Sequence, residues 1–507
     1  MRKRTNVRGA RMKIGMQGPT EKSSRKIGTY GVVYSYALAS LALLAAFTFA
    51  LFTVAARPPR WRSSRNTQAE ALRAHAMGPL AVSRANPIYF VNPSGKAVYL
   101  TGTYVWSNGA PTFDFQAYLD LLVRENQNFI RLWHTEENQQ TNPYLRTGPG
   151  NARDGKPRYD LTQFDPSYFD HLRAVALAAQ AKGIYVGVML FNGWSVATYD
   201  PSWANPWPRN PFHSDNNVND INGDPDGDGM GQEIHSLAIP GVTKLEDAYV
   251  EKVVDALNDL DNVIWEVCNE CDSEATRFQY HMIGLLHEYE ATKPKHHPVW
   301  MTAQWPGGDN AVLSAGDAEA VSPTKATGDY LGEEGGPDPN DGRKVILTDT
   351  DHLWGIGGNV DWVWRSFTRG LNPIFLEDDL LKAISRRRSN GDPIRRALGE
   401  TRAYAQRMDL IQMRPHGELT STGYALARPG REYLVYSPVG GRFSVDLKAS
   451  PPGPFQVEWL SPGTGGVVKG PVVAGNRQAI FTPPFHGPAV LYLLLNVGIA
   501  ENTGTGD

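Results

Sequence analysis

The chain is poor in cysteine, poor in net charge and without a phosphate-binding glycine motif, and each shortage removes a class of protein. Two cysteines in 507 residues, Cys268 and Cys271, cannot build a disulfide-stapled scaffold. They also leave a zinc site short of ligands. Their C-N-E-C spacing is that of a redox pair, but such a pair opens a helix after the first strand of a thioredoxin-like unit, and this one lies deep in the chain. They read as two small buried residues or as a local disulfide. A net charge of −3 offers no footprint for nucleic acid. No G-x-G-x-x-G or Walker loop follows an apolar run, which disfavours nucleotide-binding folds. Internal repeats are absent as well.

Aromatics, by contrast, are plentiful, with 13 Trp and 21 Tyr. Their flat faces stack on the apolar faces of sugar rings, although a large core accounts for most of them. The length leaves room for one barrel of about 250 residues or more and an accessory module.

The N-terminus carries nine Lys or Arg and one Glu in residues 1–28. Residues 31–56, GVVYSYALASLALLAAFTFALFTVAA, then run without a charge. At a rise of ~1.5 Å per residue this stretch reaches ~39 Å, enough to span a bilayer with tilt. A cleavable signal has a shorter apolar core of roughly 7–15 residues. The expectation is a basic cytoplasmic tail at 1–28 and a transmembrane signal anchor at 29–56, with cleavage after Val54-Ala55-Ala56 as the alternative. Either way the remainder is extracytoplasmic, membrane-anchored or secreted. Residues 57–85 are polar and Arg-rich and read as a linker.

From residue 86 the chain opens with a hairpin signal, Ile88-Tyr89-Phe90-Val91 and Val98-Tyr99-Leu100 around Asn92-Pro93-Ser94-Gly95. Strands and helices then alternate. The apolar strands are Asn128 to Trp133, Ile184 to Phe191, a run from Val263, Val299 to Gln304, Ala318 to Val321, Val345 to Asp349 and Ile374 to Glu377. Helical patterns cover Phe115 to Glu125, Ser167 to Lys182, Val242 to Leu260, Glu274 to Thr292, Val360 to Arg369 and Pro393 to Met408, the last with Asp392 as N-cap. Strands apolar on both faces belong in a parallel sheet covered on each side. With the second run of the hairpin, which continues to Trp106, they make about eight and predict an α/β fold, a (β/α)₈ TIM barrel over 86–412. Short strands separated by Gly and Pro predict a small antiparallel β-sandwich over 413–497, followed by a tail at 498–507.

The decisive stretch is NVIWEVCNEC, residues 262–271, an apolar strand that ends on an amide and a carboxylate, Asn269-Glu270. In a (β/α)₈ barrel, chemistry sits at the C-terminal ends of strands. Glu266, deeper in the same strand, reads as structural.

This V-I-W-E-x-x-N-E strand resembles strand four of clan A glycoside hydrolases, the cellulase-like TIM barrels. NFIRLW, KGIYVGVML and RKVILTDTDHLWG resemble that clan's strands two, three and seven. The opening NPIYF…GKAVYLTGTYVW and the C-terminal STGYALARPGREYLVY…VDL…FQVEW are similar to bacterial barrels that carry a sandwich domain of the type named for collagen binding. The resemblance covers roughly residues 86–496. It implies a glycoside hydrolase acting on O-glycosidic bonds of a poly- or oligosaccharide through two carboxylates. Glu270 would be the acid/base, and Asp349 would stand where the clan has its nucleophilic Glu. Asp is one methylene shorter, so the reaction is either retaining, with Asp349 attacking the anomeric carbon, or inverting, with Asp349 or Asp351 activating water. Arg131 would hold the strand-seven carboxylate ionised, and Asn269 would reach the sugar 2-hydroxyl. Trp106, Trp133, His134, Asn192, Trp194, Trp305, Asp351, His352 and Trp354 fall at or past strand ends and are candidates for the substrate subsites. A catalytically inactive cell-surface carbohydrate-binding or adhesion protein is the alternative. No cofactor is required. Asp224, Asp226 and Asp228 match the first half of an EF-hand-like loop, but its twelfth position is His235 and Glu233 comes two early. The loop reads either as a structural calcium site or as a Gly-rich turn whose Asp side chains bond their own backbone.

Overall fold

The computed structural model describes residues 78–133, 142–196, 204–324, 338–353 and 355–496. The basic tail, the apolar run at 29–56, most of the linker and the tail at 498–507 lie outside the described residues. Among the described residues no helix is long and apolar enough to cross a membrane.

Eight parallel strands form the expected barrel: β1 Gly102–Tyr104, β2 Phe129–Leu132, β3 Tyr185–Asn192, β4 Val263–Asn269, β5 Val299–Thr302, β6 Ala320–Ser322, β7 Val345–Asp349 and β8 Asn372–Leu376. They pair in chain order from β2 to β8, and β8 pairs with β1. The ring closes between β1 and β2, where Asn128 N and Phe129 N both donate to Thr101 O at 3.0 and 3.2 Å. Gly102 makes that seam possible, because a Cβ there would lie 1.8 Å from Phe129 O. The outer helices are α1 Phe115–Arg124, α2 Pro166–Gln180, α3 Pro240–Leu257, α4 Thr276–Glu290, α5 Asn310–Ala315, α6 Thr350–Leu353, α7 Val360–Thr368, α8 Leu380–Ile384 and α9 Asp392–Arg407. Asp114 and Asp165 cap α1 and α2 by accepting from Ala117 N and Ser167 N. Asp392, expected to cap α9, instead lies inside its first turn and pairs with Arg395.

The linker boundary at 85 needs correction. Ala81–Val82 already pairs with Phe90–Val91, which pairs with Ala97–Val98 in a three-stranded antiparallel sheet. Leu80 and Phe90 pack with Phe129, Tyr185, Ile264 and Val345 at the strand starts, so this segment plugs the barrel floor. A polar composition hid Leu80 and Val82, which pack there.

The C-terminal strands are β9 Arg414–Pro415, β10 Ala425–Arg428, β11 Glu432–Ser437, β12 Phe443–Asp446, β13 Pro454–Ser461, β14 Gly466–Ala474, β15 Gln478–Phe481 and β16 Ala489–Leu495. Six form one antiparallel sheet, β9-β10-β11-β16-β13-β14, and β12 pairs with β15. Tyr433, Val435, Trp459, Leu491 and Leu493 face the core between the two sheets. Leu434, Tyr436, Leu460, Val490 and Tyr492 face the other way, onto Trp362, Trp364 and Phe367 of α7 and onto α9. Tyr436 stacks on Trp364 at 6.2 Å and donates to Asp361 at 2.7 Å, and Tyr424 accepts from Arg365 at 2.8 Å. Tyr424, Tyr436 and Trp459 of the sandwich are thus spent on packing.

Glu400 of α9 lies in this seam and accepts from Gly463 N at 3.1 Å. Burial pushes its carboxyl up to about 7. A raised acid stabilises the fold below its unfolded pKa, and that stability is lost as pH rises through the folded value. Glu400→Gln keeps an acceptor for Gly463 and removes the buried charge. It is expected to stabilise the protein at pH 8 by on the order of 2 kcal/mol and to change little at pH 4.5. Thermal midpoints of both proteins across that range check this.

Candidate active site

Near the C-terminal ends of the strands three carboxylates gather round one guanidinium. Arg131 of β2 is fully buried. Its Nε and Nη2 bind the two oxygens of Glu266 at 2.8 and 2.5 Å. Nη1 reaches Asp351 at 2.9 Å, Tyr104 Oη at 3.0 Å and Asp349 at 3.4 Å, and Nη2 also donates to Asn269 Oδ1. Arg131 therefore does meet the strand-seven carboxylates, but its two-pronged partner is Glu266. A planar fork with five donors suits this arrangement, and a lysine could not reproduce it.

β4 explains how Asn269 joins in. Glu266 faces inward, and strict alternation would turn Asn269 outward. Val267 and Cys268 both pack into the core between barrel and helices, so the alternation slips there and Asn269 faces inward again. Its amide donates to Asn192 Oδ1 at 3.0 Å. Glu270 follows at φ +46°, a left-handed conformation that is uncommon for Glu.

Asp349 and Asp351 differ sharply. Asp349 is 0% exposed, and it accepts from Tyr104 Oη at 3.0 and 3.1 Å and from Asp351 N at 3.0 Å. Burial, opposed by Arg131, pushes it up to about 7. The Asp351 side chain is 6% exposed, and it rises by burial against the pull of Arg131 and of a hydrogen bond with Trp106. Glu270, Asp351 and His352 each bring an oxygen or nitrogen within 4.8 Å of the other two. Glu270 accepts from Trp194 Nε1 at 2.6 Å. Burial first, and then the Asp351 charge, hold its carboxyl well above the usual range. His352 sits between Ser322 Oγ at 2.7 Å and Asn269 Oδ1 at 3.2 Å, and burial beside Arg131 keeps the imidazole neutral.

Two indoles flank the carboxylates. Trp106 is 37% exposed and leans on Trp133 at 6.0 Å, and Trp305 is 39% exposed and stacks on Trp194 at 5.5 Å. Trp133 also stacks on Tyr104 at 6.4 Å. His134 and Trp354 lie outside the described residues. Sequence reading missed Tyr104 and Ser322. Tyr104 ends β1, so its position was the available signal. Ser322, at the end of a three-residue strand, gave none.

The acidic loop stands elsewhere. Asp224 accepts from Gly227 N and Gly229 N at 3.0 Å, Asp226 from Asp228 N at 3.1 Å and Asp228 from Met230 N at 2.7 Å. These are self-bonded turns. The carboxylates that converge within 4.8 Å are Asp224, Asp226 and Glu233, without Asp228.

Comparison with known proteins adds fold-level neighbours. A family profile described as a domain of unknown function, DUF6298, matches residues 137–320. No curated protein matches the chain. Among solved structures, one titled glycoside hydrolase is similar with a TM-score of 0.54 and 14% identity, over 83% of this chain and 97% of that one. A glycoside hydrolase family 5 structure from Bacteroides vulgatus ATCC 8482 gives 0.53 and 14%, over 84% of this chain and 94% of that one. The barrel alone is about two thirds of the chain, so the likeness continues into the sandwich. At the level of fold, the chain with its eight-stranded parallel barrel is similar to these glycoside hydrolases.

Proposed function

We propose that the protein is an exported glycoside hydrolase that cleaves O-glycosidic bonds of a poly- or oligosaccharide with retention, using Glu270 as acid/base and Asp351 as nucleophile. The observation that carries this reading is the approach of the two carboxylates to within 4.8 Å between exposed indoles. Retaining enzymes keep their carboxyls about 5–5.5 Å apart, and inverting ones about 6.5–9.5 Å. We assign the partner of Glu270 to Asp351, which shares that cluster, rather than to the Asp349 that the strand-seven resemblance implies, because Asp349 lies covered by Tyr104 Oη and Asp351 N.

Glu270 protonates the departing oxygen while an Asp351 oxygen attacks the anomeric carbon. The glycosidic C–O bond breaks and a glycosyl ester forms. Glu270, now ionised, takes a proton from water, whose oxygen attacks the same carbon and frees Asp351 as the carboxylate. Arg131 supplies the positive charge that lets Asp351 ionise despite its burial. The Trp106 and Trp305 faces offer platforms for sugar rings on either side. Fold likeness to glycoside hydrolases supports the class. A disulfide between Cys268 and Cys271 suits an oxidising compartment, which supports export.

Proton NMR of the first anomer released from an aryl glycoside panel tests the reading. Retention is expected, and inversion would overturn it. The rate should need Glu270 protonated and Asp351 ionised. Both carboxyls are raised, so the bell of kcat/KM against pH should stand above that of ordinary carboxylates. Its alkaline limb should vanish in Glu270→Gln, which should still bind sugar.

A further inference from the structure

The Cys268–Cys271 bond takes no part in that mechanism, yet it brackets the residue that does. Cys268 lies at the slip in β4, turned outward, and Cys271 follows the left-handed Glu270. The two Cα atoms are 5.9 Å apart and joined through sulfur. The turn is clasped from two sides. Thr302 Oγ1 donates to Cys268 O at 2.7 Å and Trp305 N to Cys271 O at 3.2 Å. On the other side a Cβ at Gly193 would lie 2.3 Å from Glu270 O and 2.8 Å from Cys271 Cα. Inside this clasp sits the one residue of the turn whose backbone an ordinary side chain rarely adopts.

We infer that the Cys268–Cys271 disulfide is a positioning element that holds Glu270 in its left-handed backbone conformation, with its carboxyl against Trp194 and Asp351. For its effect on rate, this rests on the hydrolase reading above. A link across residues 268–271 removes the extended alternatives by which the turn would relieve φ at Glu270. Once the link is cut, Glu270 turns to negative φ and its carboxyl leaves the Trp194 indole. Reduction by a phosphine is balanced: the S–S bond takes two electrons, two protons from water complete the two thiols, and the phosphine leaves as its oxide. The thiols are buried, so reduction proceeds through local opening. Once free, they and His235 would offer a soft metal three donors within 4.8 Å of one another, so the reduced sample carries EDTA.

The test uses the full chain labelled with ¹⁵N-tryptophan, each of whose 13 indoles carries one N–H. Trp194→Phe assigns the one that donates to Glu270. In the oxidised protein that signal should move with pH as Glu270 titrates. After phosphine reduction, with two thiols counted in denaturant, it should lose that response while the other signals hold. The double variant Cys268→Ser/Cys271→Ser should behave alike. Cleavage of glycosides with alcohol leaving groups should then slow by about tenfold or more, because these need the acid's proton. The 2,4-dinitrophenyl glycoside of the same sugar should change by less than about threefold, because its leaving group departs unaided. A Trp194 signal unchanged with both thiols free would overturn the inference. So would a shift of all the indoles together, which would give the bond to the fold rather than to Glu270. If the protein hydrolyses nothing and the Trp194 signal still responds as expected, the hydrolase reading falls and the positioning role stands.

Discussion

Asp351→Asn is expected to leave a folded protein whose kcat/KM is lower by about 10³–10⁵-fold, the loss that follows removal of an attacking group. Asp349→Asn is expected to cost only about tenfold, as an indirect effect on the geometry of the Asp351 turn. The contrast follows from their surroundings. Asp349 is sealed under Tyr104 Oη and Asp351 N, and no sugar reaches it without displacing both. Near neutral pH it holds a proton for much of the time, which an attacking carboxylate cannot do. Asp351 reaches the cleft, faces Glu270 and takes the shorter of the two Arg131 contacts, 2.9 against 3.4 Å. Kinetics of both variants on one aryl glycoside, with trapping by its 2-fluoro analogue, decide the matter. A dead Asp349→Asn beside an active Asp351→Asn would return the nucleophile to the strand end.

Arg131→Met is expected to produce the largest loss of stability, about 3–5 kcal/mol, because it leaves Glu266 buried without its partner. Glu266, Asp349 and Asp351 are already raised by burial, and Arg131 is what draws each of them down. Without it their folded pKa values climb further above the unfolded ones. Such groups stabilise below the unfolded pKa and lose that contribution as pH rises through the folded value. The loss should therefore be smaller at pH 5 than at pH 8. Thermal midpoints at the two pH values measure it. Adding Glu266→Met should recover part of the loss, since replacing both members of a buried pair with apolar groups restores packing without stranding a charge. Arg131→Lys keeps the charge and loses the fork, so it should fall between the two.

The barrel was readable because most of its strands are apolar runs followed by an amphipathic helix, β1 and β6 being the weak ones. β4 ending on Asn269, with Glu270 next, marked the end of the barrel where the carboxylates gather. Which of Asp349 and Asp351 lies nearer the cleft was left open by the sequence. Aligning strand ends assumes that the last strand residue projects into the cleft, and here α6 begins at once, so its first turn carries Asp351 there instead. The slip at Val267–Cys268 was also invisible, because outward packing of two successive residues leaves no trace in composition. In the C-terminal half, YLVY of β11 reads as one apolar block rather than an alternating strand. The structure gives the reason: the sheet is covered on both faces, by its own second layer and by α7 and α9.

That double covering bears on how such a chain can be inherited. A module joined only by a tether can be cut out, duplicated or traded between genes as an independent cassette. Here Trp362 and Trp364 on one side and Leu434, Tyr436 and Tyr492 on the other complete a single interior. Either partner alone would present bare hydrocarbon to water, so selection must keep the two halves together and change them in step.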